Sequence, residues 1–474
     1  MKAPMLRWCT ASLALACGAA GGGRAAAAPP EAPKPRLIVT TDVSNEPDDE
    51  ESLVRLLVYS NEIDIEGLIA TTSVWLRDQV RPDLIARDIA AYAQVRDNLL
   101  RHAPGFPNAA RLLAGVKAGR PAFGMAGVGD GRDSEGSRWI IAAADRPDAR
   151  PLWIAIWGGP NTLAQALWDV RRSRPPAAVD AFVAKLRVYA ISDQDDSGPW
   201  IRRTFPKLFT IVSPTPLNAG EYHTATWSGI SGDRWYRNGP GEHFTLVDNP
   251  WLAEHIRENH GPLGALYPPF KYIMEGDTPS FLNLVANGLA AAENPGWGGW
   301  GGRYALRRPP GEPRPIWSNS DDTVATGGGR AVTSNQATVW RWREAFQDDF
   351  AARMDWCVNP RAQANHNPVV VVNGVGGTAP LVLAAGPGDV IQLSADGTTD
   401  PDADTVACHW FYYREAGWPS PKPESLAIEG ADLASATITV PPGDWRELHV
   451  ILEVRDSGRP PLFSYRRIIL ERRQ

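Results

Sequence analysis

A single change of periodicity divides this chain. From Arg36 to about Asn359 apolar runs alternate with amphipathic segments, and after Asn367 only short apolar runs separated by turns remain. Leu37–Thr41, Ile65–Ala70, Leu152–Ile156 and Leu186–Ile191 read as strands. Glu50–Tyr59, Asp83–Val95, Asn161–Asp169 and Pro279–Leu289 read as helices. Strands without polar alternation are buried on both faces, and intervening helices supply the crossovers of a parallel sheet. The expectation for residues 36–360 is an α/β domain with a doubly wound, mostly parallel sheet. "PVVVVNG", "DVIQLSADG", "VACHWFYY", "SATITV" and "LHVILEVRD" follow with no helix between them, so residues 367–474 read as an Ig-like all-β sandwich. A length of 474 residues suits such a pair better than one core.

The start of the chain reads as an address. Lys2 and Arg7 precede a short apolar run from Trp8 to Ala20, and small residues lead to a cleavage point near Ala28. The expectation is a signal peptide over residues 1–28, a proline-rich linker over 29–35, and export to the periplasm or beyond. "ALAC", ending at Cys17, resembles a lipoprotein signal imperfectly, which makes lipid anchoring the lesser reading. The run is too short to span a bilayer, and no other segment reads as transmembrane. Cleavage removes three cations and no acid, so net charge moves from −6 to −9. That balance excludes a nucleic-acid partner, which needs clustered cations. Cys357 and Cys408 remain, and either a disulfide or two free thiols fits them.

"TTDVSNEPDDEESLVRLL" joins the first strand to the first helix and carries Asp42, Glu46, Asp48, Asp49, Glu50 and Glu51. Acids in a first helical turn suit the macrodipole and can cap its N–H groups. Asp42 is different, because it ends an apolar strand where an unpaired carboxylate is costly. Carboxylates converging at the carboxyl end of a parallel strand suit a hard divalent cation. Capping and metal binding both stay open from this turn alone.

The same stretch resembles the N-terminal motif of the nucleoside hydrolases, with Thr40 at the first Asp position and a spacer one residue longer. "LWIAIWGGPNTLAQAL" and "EGDTPSFLNLVANGL" resemble two later segments of that family in the expected order. "ISDQDDSGPWIRR", "TWSGISGD" and "GWGGWGGRY" extend the likeness to nearly the whole chain, to secreted bacterial cellulose-binding proteins with a nucleoside-hydrolase-like domain and a β-sandwich. The resemblance implies a calcium cofactor (Ca2+) held by Asp42, Asp49, Asp277 and the Trp157 carbonyl. It implies that Asp42 also takes the proton of an attacking water and that Asp48 binds sugar hydroxyls, leaving Glu50 and Glu51 as cap and surface. Gly276 stands where one class of nucleoside hydrolases carries a histidine that protonates the leaving group; Glu275 lies close by.

Further candidates surround this set. Asp193 and Asp196, in "SDQDDSGPW", read as sugar contacts or as a solvated turn. Nineteen tryptophans exceed ordinary usage, and "NPGWGGWGGRY" sets Trp297 and Trp300 among glycines, which suits sugar stacking or a loop pinned by buried indoles. "DGTTDPDADT" (Asp396 to Thr405) reads as an inter-strand turn rather than an EF-hand. The expected function is calcium-dependent hydrolysis of an N-glycosyl or related glycosidic bond, on a nucleoside, sugar or polysaccharide. The alternative is a non-catalytic carbohydrate-binding protein on a hydrolase scaffold. The sequence does not specify an oligomeric state.

Overall fold

The computed structural model describes residues 33–214, 220–236, 239–289, 292–418 and 421–473. The leader read over residues 1–28, with Cys17, lies outside them. Eight strands build the main sheet: β1 (Arg36–Thr41), β2 (Asp64–Ala70), β3 (Val116–Ala118), β4 (Leu152–Ile156), β5 (Leu186–Ser192), β6 (Phe209–Ser213), β7 (Tyr304–Arg307) and β8 (Ile316–Asn319). Their spatial order is β3-β2-β1-β4-β5-β6-β8-β7, and only the β7–β8 pair is antiparallel.

Strand residues alternate between two cores. Leu37 and Val39 of β1 and Trp153 and Ala155 of β4 enter one, packed with the helices Pro47–Val58 and Pro82–His102. Ile38, Ile154 and Ile156 enter the other, beneath the helices Glu135–Asp145 and Asn161–Ser173. A continuous apolar run is therefore what a strand covered on both faces requires. The strand order reverses between β1 and β4, opening a crevice at their carboxyl ends, where ligands of such sheets bind.

The Pro279–Leu289 helix is corrected to one turn, Pro279–Leu282. Beyond it the Leu284 and Val285 amides bond back only three residues, and the Asn287 carbonyl accepts the Tyr465 amide. Tertiary pairing with the C-terminal strands overrides the local pattern here.

Those strands form a four-stranded sheet in the order Leu381–Ala385, Phe463–Arg472, Glu447–Asp456, Val406–Tyr412, and a three-stranded sheet of Val390–Ser394, Ser435–Thr439 and Ala427–Glu429. The pairing is antiparallel except between Leu381–Ala385 and Phe463–Arg472. A third core, including Trp410, Trp445, Ile438 and Val450, lies between the sheets. Cys357 and Cys408 are free thiols. In the Asp-rich turn, Asp400 accepts the Asp402 and Asp404 amides, while Asp402 accepts the His366 amide and ring nitrogen. No helix among the described residues is long and apolar enough to cross a membrane.

Candidate metal and sugar site

Because Thr41 closes β1, Asp42 is the first residue past the sheet, while Asp48 and Asp49 open the helix Pro47–Val58. Trp157 follows β4 directly, and Asp277 arrives on the turn before Pro279–Leu282. These residues line one pocket, joined by Glu46, Trp75, Gln194, Tyr222, Trp227 and Tyr236, among others. Carboxylate oxygens of Asp48, Asp49 and Asp277 lie within 4.8 Å of one another. Five acids line the pocket and no lysine, arginine or histidine does.

The energetic consequence is large. Each pair of like charges at that separation costs roughly 3 kcal/mol at an effective dielectric of about 20. Burial, then the neighbouring carboxylates, accordingly push the acids up. Asp48 rises to about 8, through burial and then Glu46 and Asp42. Asp49 and Asp277 rise well above the usual range. Burial raises Asp42 to about 6 against a hydrogen bond from Ser73. The Thr41 hydroxyl donates to Asp49. Asp277 Oδ2, by contrast, is buried without a protein partner.

This donor set fits a hard divalent cation. It offers oxygen ligands only, several of them carboxylates, in a place whose acids lack a countercharge. The Trp157 carbonyl, also facing this region of the sheet, accepts the Gln194 side-chain amide at 2.6 Å and keeps a second lone pair. Asp48, read from sequence as a sugar contact, stands inside the carboxylate trio, and Asp42 lines the same pocket outside it.

Several sequence expectations are corrected by packing. Glu51 is not surface: it is fully buried, and its carboxylate accepts the Glu275 amide at 2.8 Å. Glu275 does not face the pocket. It pairs with Arg55 at 2.5 Å and accepts the Tyr267 hydroxyl at 2.7 Å, so it has no route to a leaving group there. Gly276 is explained by space, because a β-carbon at that position would lie 2.8 Å from Asp48 Oδ2.

Asp193 turns away to a bidentate pair with Arg202, at 2.6 and 2.8 Å. The exposed Asp196 accepts the Met125 amide at 2.8 Å. From that loop it is Gln194 that lines the pocket. Trp300, 2% exposed, packs edge-on against Phe346 and presents no face to a ligand. Trp297 lies against His449 and beneath Arg467, which also donates to the Trp297 and Gly298 carbonyls. The glycine-rich loop is thus stapled to the C-terminal strands. The pocket's indoles are Trp157 and two that were not singled out, Trp75 just after a strand and Trp227 within "TWSGISGD".

A family model described as cellulose-binding Sde182, nucleoside hydrolase-like domain, matches residues 36–304. The chain belongs to this family. A second model, the C-terminal domain of cellulose-binding protein Sde0182, matches residues 390–472. The Sde182-type chain is similar to the solved structure of a nucleoside hydrolase-related protein from Saccharophagus degradans, described as associated with carbohydrate metabolism. The two are 36% identical, with 93% of this chain and 100% of that one covered and a TM-score of 0.77. The effector XOO4466 is 12% identical over 71% of this chain and 95% of its own, with a TM-score of 0.30. XopQ, solved with adenosine diphosphate ribose, is 11% identical over 70% of this chain and 96% of its own, with a TM-score of 0.29. No curated protein matches the chain.

Proposed function

We propose that this Sde182-type protein is an exported hydrolase of N-glycosyl or related glycosidic bonds that works with calcium. One observation carries the reading: Asp48, Asp49 and Asp277 converge within 4.8 Å in a pocket whose lining residues include no cationic side chain. Asp48, Asp49, Asp277 and the Trp157 carbonyl would hold the ion, with Asp42 at its edge. A calcium ion there supplies countercharge and acidifies the attacking water.

The remaining work belongs to the chain. Asp42, oriented by Ser73, takes the water's proton as the water attacks the anomeric carbon. Unpartnered buried groups on the pocket wall, the Gln194 Oε1 acceptor and the Trp227 Nε1–H donor, suit a ligand rich in hydroxyls. The surrounding carboxylates stabilise the positive charge that develops on the sugar ring. Burial and the carboxylates keep the Tyr236 phenol protonated, which makes it the O–H donor available to a departing oxygen.

Turnover of a panel of nucleosides and p-nitrophenyl glycosides, by wild type and Asp42→Asn, tests this reading. Activity lost in the variant with the fold unchanged supports it, and equal activity in both contradicts it. The second reading, a carbohydrate-binding protein without catalysis, is favoured by Gly276, which places no proton-donating side chain beside Asp277.

A further inference from the structure

Only three large aromatic side chains are exposed among the described residues: Trp75 at 49%, Tyr272 at 57% and Trp418 at 57%. One of them, Trp75, lines the acidic pocket, and another, Tyr272, immediately precedes the lining residue Ile273. Its other neighbour, Lys271, is close enough to Glu46 on the pocket wall to lower that carboxyl against burial and Asp42, which raise it. Neither aromatic is on loose chain.

Trp75 sits in a turn closed by Ser73. The Ser73 hydroxyl accepts the Trp75 and Leu76 amides at 3.0 and 3.1 Å, and the Leu76 carbonyl accepts the Ser73 amide at 2.9 Å. The hydroxyl's one proton is left for Asp42, the bond that lowers this acid. One serine therefore ties the exposed indole to the general base. Tyr272 is held at φ 72° by a three-residue turn in which the Ile273 amide reaches the Lys271 carbonyl at 3.0 Å. Such a conformation is strained for a bulky residue and is retained where the surroundings impose it, often at ligand sites. Lys271 Nζ stands 4.8 Å from the ring centroid on one face.

We infer that Trp75 and Tyr272 are sugar-stacking platforms at the pocket mouth, and that the ligand is a neutral oligosaccharide rather than a lone monosaccharide. This rests on the proposed reading of the pocket as a sugar site. The enclosed space among the carboxylates is small, so only the end of a ligand enters it. Further rings then extend outward over the two aromatics, whose apolar faces match the C–H faces of a sugar.

The test is titration of the full mature protein, in calcium, with glucose and cellohexaose, comparing wild type with Trp75→Ala, Tyr272→Ala and Trp418→Ala. Calcium content is measured on every sample. The inference expects cellohexaose to bind more tightly than glucose. It expects affinity to fall roughly threefold to tenfold in Trp75→Ala and in Tyr272→Ala, with Trp418→Ala and calcium content unchanged. Trp75→Phe restores most of the loss. Cellohexaose binding equal in wild type and both platform variants overturns the inference, as does no cellohexaose binding in wild type that retains calcium. Wild type without calcium fails the metal reading instead, and Trp75-dependent binding in that protein still supports the platforms.

Discussion

Where the large sheet domain meets the C-terminal strands, the buried Asp322 carboxylate is met by Arg303 at 2.6 Å, Arg341 at 2.9 Å and the Tyr413 hydroxyl at 2.6 Å. At the carboxyl end of the sheet, Asp48, Asp49 and Asp277 meet chiefly one another. Both regions bury acids, but with opposite results. Burial alone would raise Asp322, yet the two guanidinium groups reverse this and hold it below the ordinary range. In the pocket, burial and repulsion act in the same direction, and the acids rise. A charge cluster completed by its own chain joins two parts of a fold. One left incomplete needs its countercharge from outside, and that separates structural from functional acid here.

The contrast can be broken most forcibly at the seam. Asp322→Ala leaves two buried guanidinium groups without their carboxylate and is expected to cost roughly 3–5 kcal/mol in urea unfolding. A loss below about 1 kcal/mol would show the seam to be no more than a surface-type ion pair. At the pocket the proposed reading expects a gain from an added ion. Calcium at about a hundred times its Kd should raise stability by about 2.7 kcal/mol, with no gain in a variant lacking Asp49 and Asp277.

Removing one pocket acid sharpens the difference in sign. In chelator, Asp277→Asn should stabilise the protein by roughly 1–2 kcal/mol, because relief of repulsion exceeds the lost hydrogen-bonding capacity. Destabilisation in chelator would mean that Asp277 is already satisfied by the fold. The smallest effect is in acid. Asp322 is held below its unfolded value, so its contribution is present above about pH 4 and is lost as pH falls through its folded value. Wild type should therefore show a steeper loss of stability between about pH 5 and pH 3 than Asp322→Asn does.

The sequence carried the parts of the site that lie close together along the chain. Asp42, Asp48 and Asp49 fall within one strand-to-helix turn, and an apolar run followed by an amphipathic one placed that turn at a sheet's carboxyl end. Asp277 was reached only through resemblance, since nothing local distinguishes it. Trp75, Tyr222, Trp227 and Tyr236 come from irregular segments, and only the reversal of strand order between β1 and β4 brings them to one crevice. Asp193 and Asp196 share a loop with the pocket residue Gln194, but Arg202 and the Met125 amide claim the two acids. Trp297 and Trp300 had the composition of a sugar platform, but Trp300 is buried against Phe346 and the half-buried Trp297 packs on His449 and Arg467 of the C-terminal strands. Composition reports what a side chain can do, whereas burial decides what it meets.

The most direct test of the central claim is the calcium content of the purified protein after exhaustive dialysis, measured beside an Asp49→Ala/Asp277→Ala variant. About one calcium per chain in the wild type and none in the folded variant is the predicted result. A wild-type protein that takes up no calcium when it is supplied, or a variant that retains it, would contradict the account.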